Sequence, residues 1–343
     1  MLTREPRLQE AHTDAEERPR LGHPVLDRYL GFVASRARHN TVLATASDLR
    51  VFFGVVDKEP DAVTTADVLG FMAAQRKPRG DARVVRLADG ENGLSAHTIK
   101  RRLATLSGLF GYLVMLEEMK ANPVPRGLAT RRTRRAGRGT PLVRTPRTLP
   151  KVLEPAEVDA LMAALRRWRD RAMVEAMVLG GLRRCEVLGL RFEHLRPGEG
   201  RIFVAEGKGG HQRLVPISGR FFRSVSAYVD TERPADARTP QVFVVLKGPR
   251  RGRPLHADGL DQIILAARQR AGLAHASCHE LRHTCLTRLR EAGMALEAVQ
   301  AQAGHRSIES TRVYLHLAND WLAAEYLRAA DLIGADLAQA VSR

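Results

Sequence analysis

Four short segments in the second half of the chain hold side chains with chemistry to offer: GLRRCE at 181–186, EGKGG at 206–210, HELRH at 279–283 and AGHRSIESTRVYLH at 303–316. Together they supply arginines, a lysine in a glycine-rich turn, histidines and a tyrosine, the set that phosphoryl transfer without a metal needs. Such a reaction gathers negative charge on the non-bridging oxygens of a pentavalent phosphorus, and fixed guanidinium forks can hold those oxygens bidentately. Arg183 and Arg282 are the candidates for that role. Tyr314 is the candidate nucleophile. A phenol with an ordinary pKa of about 10 needs cations and a base to help it ionise, and His305 stands nine residues before it. The departing oxygen requires a proton, which Lys208 at the tip of a turn is suited to give.

Each of these residues has an ordinary explanation when taken singly. Arg183 is then a helix-end charge paired with Glu186, Lys208 a solvated turn residue, Tyr314 a packed aromatic, and His279 or His305 a hydrogen-bonded structural histidine. HELRH is also a literal H-E-x-x-H, in which two histidines one helical turn apart bind zinc and the glutamate serves as base. That pattern lacks its extension here, because Leu286 occupies the place of the downstream glycine, and Arg282 would set a cation beside the metal. The set of residue types in the four segments favours phosphoryl transfer, with no metal and no cofactor expected.

The constellation resembles the tyrosine recombinase (phage integrase) family, strongly from about Pro150 to His316 and more loosely over the first part of the chain. By that resemblance Arg183 is the first catalytic arginine and Glu186 the acid that buttresses it. Lys208 is the hairpin lysine, an informative placement in a chain with only seven lysines among its 55 basic residues. His279 and Arg282 match the His-x-x-Arg pair, His305 the place taken by His or Trp, and Tyr314 the nucleophile. Glu280 and His283 are left in a supporting, orienting role. Gly180 stands where a threonine is frequent and Ala303 where a leucine is frequent; neither change removes a charge or a reactive group.

These residues must be positioned by folded elements, and the chain reads as mainly α with a small antiparallel β-sheet. Residues 1–22 alternate both charges with proline and read as a flexible tail. Helical spacing begins at His23, with Leu26, Leu30 and Val33 on one face, Leu49, Phe53 and Val56 on another, and Val68 with Met72 on a third. A longer helix follows Ser95 as N-cap, carrying Ile99, Leu103, Leu106, Phe110 and Leu113. Residues 23–125 are expected to form a small DNA-binding bundle, a core-binding, SAM-like domain by the resemblance. Residues 126–149 form a basic linker whose stretch 126–147 holds eight arginines and no acid. Residues 150–343 form the mixed α+β catalytic domain. It opens with helices over EPAEVDALMAALRRW and from Arg171 to Leu182; RIFVAE and RLVPIS then read as strands joined by GKGGHQ, and QVFVVL at 241–246 as one further strand. Helix returns from Leu260, and 320–340 forms a last amphipathic helix.

With 55 Lys and Arg against 38 Asp and Glu, the 343-residue chain carries a formal charge of +17, which makes a polyanion its default partner. Lys100, Arg101 and Arg102, together with Arg131, Arg132, Arg134 and Arg135 of the linker, are the candidate DNA contacts. Arg250, Arg251 and Arg253 are phosphate contacts or solvated surface. The longest apolar stretch, 103–116, is too short to span a membrane. The amino terminus has no apolar signal core, so a bacterial cytoplasmic location is expected. Three cysteines without a CxxC spacing argue against a disulfide framework and are expected to pack as small apolar thiols.

The resemblance implies two domains clamped on duplex DNA, cleavage through a 3′-phosphotyrosyl link and rejoining without ATP. It also implies a homo-tetramer, as two dimers, on double-stranded recombination sites, with helix 320–340 docking on a neighbour. The short tail favours a recombinase of the Xer or transposon type. A type IB topoisomerase-like enzyme, or a DNA-binding protein without catalysis, are the alternatives.

Overall fold

The computed structural model describes residues 19–76, 93–125, 127, 142–145, 150–205 and 212–304. The chain divides into two units, Met1–Arg147 and Thr148–Arg343. Among the described residues, no helix is long and apolar enough to cross a membrane.

The first unit holds α1 (Pro24–Arg36), α2 (His39–Phe53), α3 (Thr65–Arg76) and α4 (Ala96–Met115). Pro24 begins α1 where a missing N–H costs nothing, and the Asp27 carboxylate accepts from the backbone N–H of Leu21 at 2.6 Å. Ser95 caps α4, its hydroxyl accepting from Thr98 N–H at 3.2 Å, as the sequence leads one to expect. The apolar faces meet in one core that includes Leu26, Leu30, Leu49, Phe52, Phe71, Leu106 and Phe110. Phe52 and Phe71 pack edge to face, their ring centroids 4.9 Å apart. Leu142 and Val143, from the arginine-rich stretch, pack on this same core.

Among the described residues of this unit, one carboxylate, Asp48 of α2, is buried. It accepts from Arg101 Nη1 at 2.6 Å and Thr105 Oγ1 at 3.0 Å, and lies 3.6 Å from Arg102 Nε. Arg102 Nη1 also donates to Gln75 at 2.8 Å. Two of the three cations at the start of α4 are thus tied to buried acceptors. Arg102 keeps only 12% of its side chain exposed and Arg101 keeps 50%, so Arg101 presents more charge to solvent.

The second unit is built on α6 (Trp168–Val178), buried at every residue from Ala172 to Val178. A helix enclosed on every side is a core helix rather than a surface one, and its buried Glu175 is matched by Arg220 Nε at 2.8 Å. Around it lie α5 (Pro155–Ala164), α7 (Arg184–Leu188), α8 (Gly219–Thr231), α9 (Ala257–Arg270), α10 (Cys278–Glu291) and α11 (Leu296–Ala303). A three-stranded antiparallel sheet, in the order β1-β2-β3, comprises β1 (Leu195–Arg196), β2 (Arg201–Val204) and β3 (Arg213–Pro216). Ile202 pairs with Val215, and Val204 pairs with Arg213 at the hairpin end.

Two expectations are corrected. QVFVVL is not a strand of the sheet: Val242 N–H donates to Leu190, Val244 N–H to the Tyr228 hydroxyl and Val245 N–H to Arg253, so its bonds go to separate partners and leave only isolated bridges. The cysteines are not all packed inside. Cys285 is buried and Cys278 partly so, both thiols pushed up to about 12 chiefly by burial, whereas Cys185 on α7 is exposed.

Candidate active site

The site is assembled where three separate parts of the second unit converge. α6 ends at Val178, and the chain turns through Gly181, whose φ of +66° suits glycine. That turn delivers Arg183 to the N-cap of α7, three residues before Glu186. The Glu186 carboxylate reaches back to accept the Arg183 backbone N–H at 2.9 Å, satisfying a donor at the helix start.

Glu186 is enclosed by guanidinium groups. Its Oε1 accepts from Arg183 Nη1 at 2.7 Å and Arg213 Nη1 at 2.9 Å, and its Oε2 from Arg213 Nη2 at 2.8 Å. Burial pushes the carboxyl pKa up, but the bonds and charge of Arg213, the Arg183 N–H and the Arg183 charge outweigh it, holding the group down at about 2. A buried carboxylate shared by two cations leaves the cluster with a net positive charge.

The same arginines reach the C-terminus of α11. Its last carbonyls have no partner within the helix and carry the negative end of the helix dipole. Arg213 Nε donates to the Gln302 carbonyl at 3.3 Å, Arg282 Nη2 to that of Ala303 at 2.6 Å, and Arg183 Nη2 to that of Gly304 at 3.1 Å. Three consecutive carbonyls are therefore held by three guanidinium groups from β3, α10 and the α7 N-cap. Gly304 closes the helix in the left-handed conformation, φ +60°. A Cβ there would also fall 2.9 to 3.0 Å from the Arg213 guanidinium. Gln302 completes the corner from below, its amide donating to Gly180 at 3.0 Å and Pro216 at 3.1 Å.

α10 contributes the other pair. Ser277 caps it by accepting from Glu280 N–H at 3.3 Å. Arg282 points into the protein, 3% exposed, and donates to the Gly181 carbonyl as well as to Ala303. His279 lies on the more open side of the helix, one turn before His283; their Nε2 atoms are 2.8 Å apart, with the rings edge to face. Partial burial first, then the charges of Arg282 and, less, of Arg183, hold His279 below the ordinary histidine pKa against the pull of Glu280. A neutral imidazole can accept or donate a proton, which an imidazolium cannot do as a base. Glu280 turns to His275 at 3.4 Å. Among the described residues, no group of three or more His, Cys, Asp or Glu is arranged to hold a metal ion.

Of the residues singled out from sequence, the structure brings Arg183, Glu186, His279, Arg282 and His283 to one place. Lys208, His305, Tyr314, Arg131, Arg132, Arg134, Arg135 and helix 320–340 lie outside the described residues. His305 directly follows the Gly304 corner in sequence, and Lys208 falls in the connection between β2 and β3. Sequence reasoning missed Arg213 and Gln302. The signal available for Arg213 was its place on the return strand of the hairpin, five residues after Lys208.

Comparisons with known proteins bear on the family and the fold. A profile of the phage integrase family matches residues 151–320. The tyrosine recombinase XerC of Vibrio vulnificus is 32% identical over 273 residues, covering 77% of this chain and 80% of that protein. The tyrosine recombinase XerD of Listeria monocytogenes is 28% identical over 295 residues, covering 81% and 88%. Among solved structures, an integrase of transposon Tn1549 in complex with transposon right end DNA aligns with a TM-score of 0.64 at 19% identity, over 89% of this chain and 99% of that one. The XerH site-specific recombinase bound to palindromic difH substrate aligns with a TM-score of 0.63 at 19% identity, over 85% and 81%. These two likenesses carry the fold. The family match and these relatives define an enzyme that cleaves and rejoins DNA strands. The chain belongs to the tyrosine recombinase (phage integrase) family, and its function is site-specific DNA recombination.

Proposed function

We propose that recombination by this chain runs through a 3′-phosphotyrosyl intermediate formed on Tyr314. Arg183 and Arg282 bind the non-bridging oxygens of the scissile phosphate, with His279 and His305 completing the charge stabilisation and one of the two histidines taking the tyrosine proton. Lys208 protonates the departing 5′ oxygen. The phosphotyrosine keeps the energy of the diester, so the 5′ hydroxyl of a partner strand reverses the step without ATP or metal.

The observation that carries this reading is the convergence of Arg183 and Arg282 on the end of α11, immediately before His305 in sequence, with His279 in the field of both arginines. Cations fixed by protein hydrogen bonds need no reorganisation when charge develops on phosphorus. Their burial strengthens that effect.

The substrate in this reading is a double-stranded recombination site, gripped by Lys100, Arg101 and the arginines at 131, 132, 134 and 135, while Arg102, largely buried against Asp48 and Gln75, holds the start of α4 rather than DNA. Four protomers, as two dimers, would act on two sites, with helix 320–340 docking between neighbours, in the cytoplasm of a bacterium. Support comes from the relatives' bacterial sources and from the DNA-bound recombinases of similar fold. The test begins by sequencing DNA retained by the Tyr314→Phe variant in cells, which identifies the site. A nicked suicide substrate carrying that site then traps the adduct. Wild-type protein becomes covalently attached and Tyr314→Phe does not; an adduct with the variant rejects Tyr314, and relaxation of plasmids lacking the site favours a topoisomerase.

A further inference from the structure

We propose that Arg213 is a positioning residue of this catalytic centre, the strut that holds Glu186 and the Gln302–Gly304 corner in register with Arg183. The proposal rests on the reading above that Arg183 meets the scissile phosphate. Nothing in the family assignment or in the motif pattern gives Arg213 a part.

Three contacts carry the inference. Arg213 spends both terminal nitrogens on the two oxygens of Glu186, at 2.9 and 2.8 Å, in the fork geometry that only arginine offers. Its third donor, Nε, goes to the Gln302 carbonyl at 3.3 Å. Its guanidinium lies so close to Gly304 that a Cβ there would be 2.9 Å from Nη1. One side chain, 12% exposed, thus links β3 to α7 and to the residue that leads into His305.

Charge accounting shows what the link does. Glu186 also binds Arg183, through Nη1 at 2.7 Å and the backbone N–H at 2.9 Å. With Arg183 as its only cation, Glu186 would neutralise it, and the pair would offer a phosphate no net charge. Arg213 supplies the second cation, so the cluster keeps one positive charge in excess while Glu186 still fixes the Arg183 fork. The charged groups facing Glu186 are Arg183 from the α7 cap and Arg213 from β3. Among the described residues, the neighbouring end of α11 meets them through the carbonyls of Gln302 and Gly304. Arg213 also begins the strand that returns from the connection containing Lys208, so the same strut ties the hairpin to the arginine cluster.

A plain structural ion pair would stabilise the domain without changing chemistry, and the test separates the two roles. It uses the full chain and single-turnover adduct formation on the suicide substrate, with DNA affinity and thermal melting measured separately. Arg213→Gln should form adduct about 10- to 100-fold more slowly at saturating DNA, while the dissociation constant changes less than about threefold. Its acid limb should move to higher pH. Glu186 keeps its burial but loses the contacts that hold it ionised, so it protonates earlier as the pH falls. Arg213→Lys keeps the charge and loses the fork, and should restore the acid limb while leaving the rate depressed. In a Glu186→Gln background, Arg213→Gln should cost much less than in the wild type.

Cleavage by Arg213→Gln at the wild-type rate would overturn the proposal. So would a rate loss that only tracks the unfolded fraction with the acid limb unmoved, or, if that variant does not fold, an Arg213→Lys protein that melts and cleaves as the wild type does. An adduct that survives Tyr314→Phe would reject the nucleophile instead. It would leave the Arg213 comparison intact, because adduct formation is read whichever residue carries the DNA.

Discussion

Arg282 donates through Nη2 to the carbonyl of Ala303 at 2.6 Å, binding the middle of α10 to the end of α11. A residue expected to touch phosphate is therefore also part of the protein's internal framework. Its second bond, to Gly181, reaches the turn that presents Arg183. Arg282→Ala would strand two buried carbonyls and should destabilise the second unit by about 2 to 4 kcal/mol, beyond its effect on cleavage. Arg282→Lys, a point charge without the planar fork, should recover part of the stability and little of the rate. Urea unfolding beside single-turnover cleavage checks both; equal recovery of the two would contradict the dual role.

Gly304 is required twice over, by its left-handed φ and by the Arg213 guanidinium against it. Gly304→Ala should cost about 1 kcal/mol in backbone strain alone. Because the displaced corner leads into His305, the cleavage rate should fall further than stability does, by roughly tenfold. DNA affinity measured by fluorescence anisotropy should stay near wild type.

Glu186 predicts a pH dependence of stability with a defined sign. Its folded pKa is depressed to about 2, below an unfolded value of about 4.3. The stability it contributes is fully present above the unfolded value and is lost as the pH falls through the folded one. The contribution is on the order of 3 kcal/mol at neutral pH. Glu186→Gln should lose a similar amount, since two buried guanidinium groups then lack their counter-charge. It should also flatten the decline in urea midpoint between about pH 5 and about pH 2. An unchanged slope would show that Glu186 is not the titrating group.

His279 should titrate below the ordinary histidine value of about 6.5, because partial burial and the Arg282 and Arg183 charges disfavour its protonated form. NMR of the ring protons in free protein reads this directly. Arg282→Gln should raise the midpoint by removing a nearby cation. A midpoint unmoved by that change would contradict the electrostatic coupling between the two residues of the HELRH segment.

Much of this architecture was legible from residue spacing. Periodic leucines and phenylalanines marked α1 to α4, Ser95 marked a cap, and the alternation in RIFV and RLVP marked the hairpin. Arg183, Glu186 and Arg282 were legible as one cluster because motif order constrains them. α8 was overlooked although Phe221, Val225 and Tyr228 repeat at helical intervals. QVFVVL misled because β-branched residues suit any extended buried segment, whether or not a neighbouring strand receives its bonds. Arg213 was missed for a physical reason: its place on the hairpin's return strand does not name a partner, an arginine at a strand end reads as surface, and Glu186 is 27 residues away in sequence. Only the fold makes them neighbours.

The central claim is that these fixed cations serve a phosphotyrosyl transfer at Tyr314. Its most direct test is mass spectrometry of the trapped protein–DNA adduct after nuclease and protease digestion. The account predicts a nucleotide on the peptide containing Tyr314, attached through its 3′ phosphate. A nucleotide on any other residue, or a 5′ linkage, would contradict it.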